Sequence, residues 1–187
     1  MQSMMELLEV SPVVAAIKDE KGLTRALESD CHVIFILYGT ICNIGAITEK
    51  IADAGKVPIV HADLINGLSM KDVAIDFIRD NTKAQGIIST KPMLVKRAKE
   101  LGLLAVQRSF IIDSMALDNM KKQLEAFEPD AIEIMPGVMP RIIRQIRSQT
   151  KTAIIAGGLL TDKKDVMAAL EAGADAVSTT SVPLWSV

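Results

Sequence analysis

Ile154-Ile155-Ala156-Gly157-Gly158-Leu159-Leu160-Thr161-Asp162 and Ala176-Val177-Ser178-Thr179-Thr180-Ser181 share one plan near the C-terminal end of the sequence. Each opens with an apolar run of strand length and then breaks into small residues. Gly157 and Gly158 let a backbone pass close to a ligand, because no side chain blocks the approach. Thr179, Thr180 and Ser181 offer hydroxyls and backbone N–H groups. Between the two runs, Thr161 to Gly173 reads as one helix. Strand, small-residue loop, helix, strand, small-residue loop is the end of a parallel α/β barrel. There the loops after the seventh and eighth strands commonly hold a phosphate.

Working outward, the same alternation covers the chain. Val13–Ile17, Val33–Leu37, Val57–His61, Gly86–Ile88, Leu103–Val106 and Ala131–Ile134 read as six further strands. Helices are expected at about Asp19–Glu28, Asn43–Ala54, Met70–Asn81, Pro92–Leu101, from Asp113 or Ser114 to Phe127, and from Gly137 to about Gln149. Gly55 and Gly102 suit helix C-termini, and Pro92 suits a first helical turn. Eight strands alternating with helices predict βαβ units on a parallel sheet. Divided among eight units, 187 residues give about 23 each, compact beside the usual barrel of about 250. The expectation is therefore a single-domain TIM-like (β/α)8 barrel over residues 1–187, with short loops and a truncated last helix. An open doubly wound sheet explains the alternation equally well. It does not explain ligand-type groups at nearly every strand end. Met4, Met5, Leu7 and Leu8 read either as part of a plug under the barrel or as a partner-facing segment.

Composition narrows the function. The chain is 49% hydrophobic, which argues against disorder, yet no apolar run is long enough to cross a bilayer. The N-terminus lacks the plan of a signal peptide, so a cytoplasmic protein is expected. Cys31 and Cys42 have no CxxC spacing and are expected to be reduced. A net charge of −2 means that any nucleic-acid role needs a local basic patch. Aromatics at 3% argue against a broad base-stacking surface.

Ligand chemistry in a barrel sits at the C-terminal strand ends. Read in order, these carry Asp63, Ser89 with Lys91, Gln107 with Arg108, Glu133, the glycine pair, and Thr179-Thr180-Ser181. Glu133 lies inside an apolar strand and needs a donor, which Arg108 or Lys91 can supply. That pair reads either as a structural ion pair or as part of a ligand site. A phosphate is expected on the N–H groups of Gly158 and Thr180, with Lys91 or Arg108 adding positive charge. Asp63 and Glu133 suit hydroxyls. The ligand that fits is small, anionic at one end and a polyol at the other. His61 and Asp63 share a strand face but have no second histidine beside them, so no metal site is expected. No nucleophile elbow or Walker loop is present.

Several of these segments together resemble one family. They are His61-Ala62-Asp63-Leu64-Ile65-Asn66-Gly67, Gly86-Ile87-Ile88-Ser89-Thr90-Lys91, Gln107-Arg108-Ser109-Phe110-Ile111-Ile112-Asp113-Ser114, Ile132-Glu133-Ile134-Met135-Pro136-Gly137, Ala156-Gly157-Gly158 and Thr179-Thr180-Ser181. In this order they are similar to the glycerol-3-phosphate-responsive antiterminators of bacterial glycerol uptake operons. The resemblance implies a regulator of glycerol metabolism and not an enzyme. It implies glycerol 3-phosphate as effector, no cofactor, and the leader of the operon's messenger RNA as partner. Gly157, Gly158, Thr179, Thr180 and Ser181 would hold the phosphate, and Asp63, Lys91, Arg108 and Glu133 would line the rest.

For RNA the best basic patches are Arg141, Arg144 and Arg147 with Lys151, and Lys96, Arg97 and Lys99. Steps of three keep the arginines near one helix face. Either patch reads equally as a solvated helix face. Two other readings stay open. One is a barrel enzyme acting on a small phosphorylated substrate, such as an isomerase or aldolase, through Lys91, Asp63 and Glu133. The other is a metabolite-binding scaffold that acts through a protein partner. The sequence leaves homo-oligomerisation open.

Overall fold

A computed structural model describes residues 2–186. The elements, in chain order, are α1 (Met4–Val10), β1 (Val13–Ile17), α2 (Glu20–Glu28), β2 (Val33–Ile36), α3 (Ile44–Asp53), β3 (Val57–His61), α4 (Val73–Asn81), β4 (Gly86–Ser89), α5 (Pro92–Glu100), β5 (Leu104–Phe110), α6 (Ser114–Phe127), β6 (Ala131–Met135), α7 (Pro140–Arg147), β7 (Ala153–Gly157), α8 (Lys163–Glu171) and β8 (Ala176–Thr179). After β8 the described residues form a 3-10 turn, Val182–Leu184. Local chemistry explains the helix starts. Asp19, Asp113 and Asp162 each accept a hydrogen bond from a backbone N–H three residues on. Pro92 and Pro140 open α5 and α7, where a missing N–H costs nothing.

All eight strands run parallel in sequence order, and β1 pairs with both β2 and β8. That last pairing closes the sheet and excludes the open doubly wound alternative. The strands carry almost unbroken buried apolar runs because both sheet faces are covered. Side chains alternate between two cores. Outward residues such as Ile34, Val60, Ile132 and Val177 pack under the helices. Inward residues such as Val14, Phe35, Ile59, Val106 and Ile155 fill the barrel together with Met4, Leu7 and Leu8 of α1. The N-terminal apolar residues thus plug the bottom, the first of their two expected roles.

Several boundaries differ from the sequence reading. β5 continues from Val106 to Phe110, because each added residue pairs with β6, out to Phe110 opposite Met135. Cross-strand partners supply what local polarity disguised. β2 stops at Ile36 and not Leu37, and α4 begins at Val73 and not Met70. The consequence for function is that Gln107 and Arg108 are strand residues pointing to opposite faces. Arg108 faces the barrel mouth, and Gln107 faces the helices.

Candidate functional site

The loops after β7 and β8 meet over the barrel mouth and enclose a cavity of about 160 Å³. Gly158, Leu159 and Leu160 form one wall and Thr179, Thr180 and Ser181 another. Arg108, Glu133 and Ser178 close the floor. Gly158 has φ +76° and Leu159 φ +59°, so two successive residues sit in the left-handed region. Leu159 is a non-glycine there, a conformation that costs on the order of 1–3 kcal/mol and concentrates at ligand sites. The Gly158 carbonyl accepts from Gly137 N–H at 3.1 Å. The N–H groups of Gly158 and Thr180 have no acceptor among the described residues. The Ser181 N–H is turned to Thr179 Oγ1, 3.1 Å away, so of Ser181 only the hydroxyl is available to a ligand. Gly157 does not line the cavity. A Cβ there would lie 2.6 Å from Ser178 Oγ and 2.7 Å from Glu133 Oε1, so its role is to let β7 pass the floor.

The floor is one connected network. Arg108 Nε donates to Glu133 Oε2, and Ser178 Oγ donates to Glu133 Oε1 at 2.5 Å. Glu133 is 1% exposed, and both of its oxygens accept hydrogen bonds, as a buried carboxylate requires. The structural ion pair therefore exists and is at the same time part of the cavity wall. Only Nε of the Arg108 guanidinium has a hydrogen-bond partner. Its two terminal nitrogens have none among the described residues and form the cationic face of the cavity. Period-two alternation along β8 puts Ser178 on the inward face with Thr180, a signal the sequence reading did not use.

His61 is buried on the inward face of β3, and its Nδ1 has no hydrogen-bond partner. Burial, and then the positive charge of Arg108, holds its pKa down to about 4 against the pull of Asp63. The unfolded imidazole titrates near 6.5. Because the folded value is the lower one, this contribution is complete above pH 6.5 and is lost as pH falls toward 4. Between pH 7 and pH 5 the loss is about 2 kcal/mol. Asp63 does not contribute in that window. Burial pushes its pKa up, but hydrogen bonds from Ser89 and Thr90 outweigh this and keep it below its usual 3.8. Urea denaturation at the two pH values is expected to show this drop in wild type and a drop less than half as large in His61→Gln.

The remaining expected residues lie elsewhere. Asp63 is separated from the cavity, its carboxylate occupied by the Ser89 hydroxyl and by the Thr90 hydroxyl and N–H. Lys91 is exposed at the start of α5 and does not line the cavity. Three residues of the basic patches have intramolecular partners. Arg147 donates to Asp175 and to the carbonyls of Thr150 and Thr152, and Arg97 is held by Asp76 and Glu100. Lys99 pairs with Asp130. Arg141, Arg144, Lys96 and Lys151 remain exposed and outside the ion pairs. No cluster of three or more metal-type side chains exists among the described residues.

A larger cavity, about 670 Å³, lies between the C-terminal halves of α6 and α7 and the approach to β7. It is at the wrong end of the barrel for strand-end chemistry. Its charges are mixed, Lys121 and Lys151 against Glu125 and Glu128. Volume alone does not make it the site. The smaller cavity has the converging amides and guanidinium.

An eight-stranded α/β barrel with a small polar cavity between its seventh and eighth strand ends is the class that fold and site define. The chain belongs to the glycerol-3-phosphate responsive antiterminator family, whose model matches residues 13–185. It is 42% identical to the uncharacterized protein YgcP of Escherichia coli (strain K12) over 184 residues, 98% of this chain and 96% of that one. Among solved structures it is similar to the glycerol uptake operon antiterminator regulatory protein of Listeria monocytogenes. Identity is 32% and the TM-score 0.90, covering 94% of this chain and 95% of the other. A glycerol uptake operon antiterminator-related protein of Thermotoga maritima is also 32% identical, with a TM-score of 0.83 and coverage of 92% and 96%.

Proposed function

We propose that this chain senses glycerol 3-phosphate at the β7–β8 cavity and, when loaded, binds its operon's leader RNA to prevent premature termination. The observation that carries the ligand half is the convergence of two unpaired amides, Gly158 and Thr180, with the free end of Arg108. Amides and a guanidinium fork are what a phosphate dianion needs. A cavity of about 160 Å³ is below the range of about 300–1,000 Å³ typical for drug-sized ligands, so a three-carbon phosphate suits it. The cavity also lacks a free acid or base, since Glu133 is held by Arg108 and Ser178 and Lys91 lies outside. This favours a sensor over an isomerase or aldolase. Among the described residues no helix is long and apolar enough to cross a membrane, and we place the protein in the cytoplasm with the transcript.

The test is fluorescence anisotropy with labelled leader RNA, with and without glycerol 3-phosphate. Affinity is expected to rise at least tenfold with the effector. Equal affinity in both conditions would defeat the sensing reading, and no binding in either would defeat the RNA reading. Arg141 and Arg144 supply the exposed cations on α7. Replacing both with alanine is expected to make the log-log salt dependence shallower by about 1.5, while ligand affinity stays unchanged. An unchanged slope would move the backbone contacts off α7.

A further inference from the structure

The segment Gln107-Arg108-Ser109-Phe110 does more than supply Arg108. On the outer side of the β5 end, against α6, lies a second cavity of about 230 Å³. Gln107, Arg108, Ser109 and Phe110 line it from the strand, and Asn119 and Gln123 from the helix. Gln107 is 2% exposed. Its amide nitrogen is saturated by the carbonyls of Ser89, Thr90 and Arg108, while its Oε1 has no partner. A buried acceptor left alone is costly and marks a place where a donor is meant to arrive. Asn119 and Gln123 stand four apart on one helix face, and neither side-chain amide has a partner among the described residues. Phe110 is 52% exposed, whereas the other aromatic residues among those described are buried or half-buried. Lys91, next to Thr90, is exposed and outside every ion pair among the described residues.

We infer that this cavity takes one unstacked nucleobase of a bound single-stranded RNA. The proposal rests on the RNA half of the function given above. Its parts match what such recognition needs: an aromatic face to stack on, amides for the base edge, a lone acceptor for an N–H, and a cation for the adjoining phosphate. The volume suits one flat heterocycle. It is several times the roughly 30 Å³ share of a water molecule, yet smaller than a pocket for a drug-sized ligand. The position also links the two sites. Gln107 Nε2 donates to the Arg108 carbonyl at 3.0 Å, and the Arg108 side chain forms the floor of the anion cavity. Arg108 itself lines both cavities, so the end of one strand joins the effector to the base.

The test compares wild type, Phe110→Ala and Phe110→Trp, all with glycerol 3-phosphate present. Probes are labelled leader RNA, a short single-stranded RNA of random sequence, and the four nucleoside monophosphates. Removing one stacked base is expected to weaken leader binding about 5- to 150-fold in Phe110→Ala, with near wild-type affinity in Phe110→Trp. The salt slope and the calorimetric affinity for glycerol 3-phosphate are expected to stay the same in all three. Leader RNA bound equally by wild type and Phe110→Ala would overturn the base pocket and leave the antiterminator reading standing. Leader RNA bound by none of the proteins would overturn both. Monophosphates bound as tightly as the oligonucleotide would assign the pocket to free nucleotides. A Phe110-dependent self-association in sedimentation velocity, with RNA affinity unchanged, would assign the exposed Phe110 to a second copy of the chain.

Discussion

Glu133→Ala is expected to lower the stability of the barrel by about 3–5 kcal/mol. The carboxylate is the acceptor for both Arg108 and Ser178. The Arg108 side chain is 10% exposed, so its removed partner leaves a nearly buried charge uncompensated. The Ser178 hydroxyl, 4% exposed as a residue, loses its acceptor as well. Urea denaturation at pH 7 measures the change, and a loss below about 1 kcal/mol would show that the network is not holding the floor. Arg108→Met with Glu133→Leu is expected to recover much of the stability, because no orphan charge remains. The same double variant loses the cationic face of the cavity and is expected to lose ligand binding. Stability and function then separate within one pair of residues.

Gly158→Val is the second large effect, and it falls on binding. At φ +76° a β-branched residue is strained by about 1–3 kcal/mol. The new Cβ would lie 2.7 Å from Met135 Cε, the far end of a flexible side chain and not backbone. The barrel is therefore expected to fold, with an unchanged circular dichroism spectrum. The added methyl groups stand at the wall of the cavity and cover the Gly158 amide. Losing one charge-assisted hydrogen bond of about 1.5–3 kcal/mol weakens glycerol 3-phosphate roughly 10- to 150-fold. Calorimetry that finds wild-type affinity in a folded Gly158→Val protein would place the anion elsewhere.

The two small-residue stretches after β7 and β8 were readable because their signal is local. Apolar run, glycine or hydroxyl cluster, and helix cap follow one another within about a dozen residues. The Arg108–Glu133 pairing was also readable, since a carboxylate in an apolar strand demands a donor. What stayed hidden depends on long-range partners. Arg147 reads as one of three arginines near one helix face, yet Asp175, 28 positions away, pairs with it. Arg97 is taken by Asp76, 21 positions away. Asp63 looked like a hydroxyl acceptor for a ligand, but Ser89 and Thr90 use it first. The outer cavity at Phe110 was hidden for the same reason. β5 reaches Phe110 only because β6 pairs with it, and a polar tetrapeptide seen alone reads as a loop.

A crystal structure with glycerol 3-phosphate would locate the anion. Phosphate oxygens are expected within hydrogen-bond reach of the Gly158 and Thr180 amides and of the terminal nitrogens of Arg108, with the glycerol carbons over the Glu133–Ser178 floor. Phosphate density in the α6–α7 groove, or at the mouth without contact to either amide, would contradict this placement.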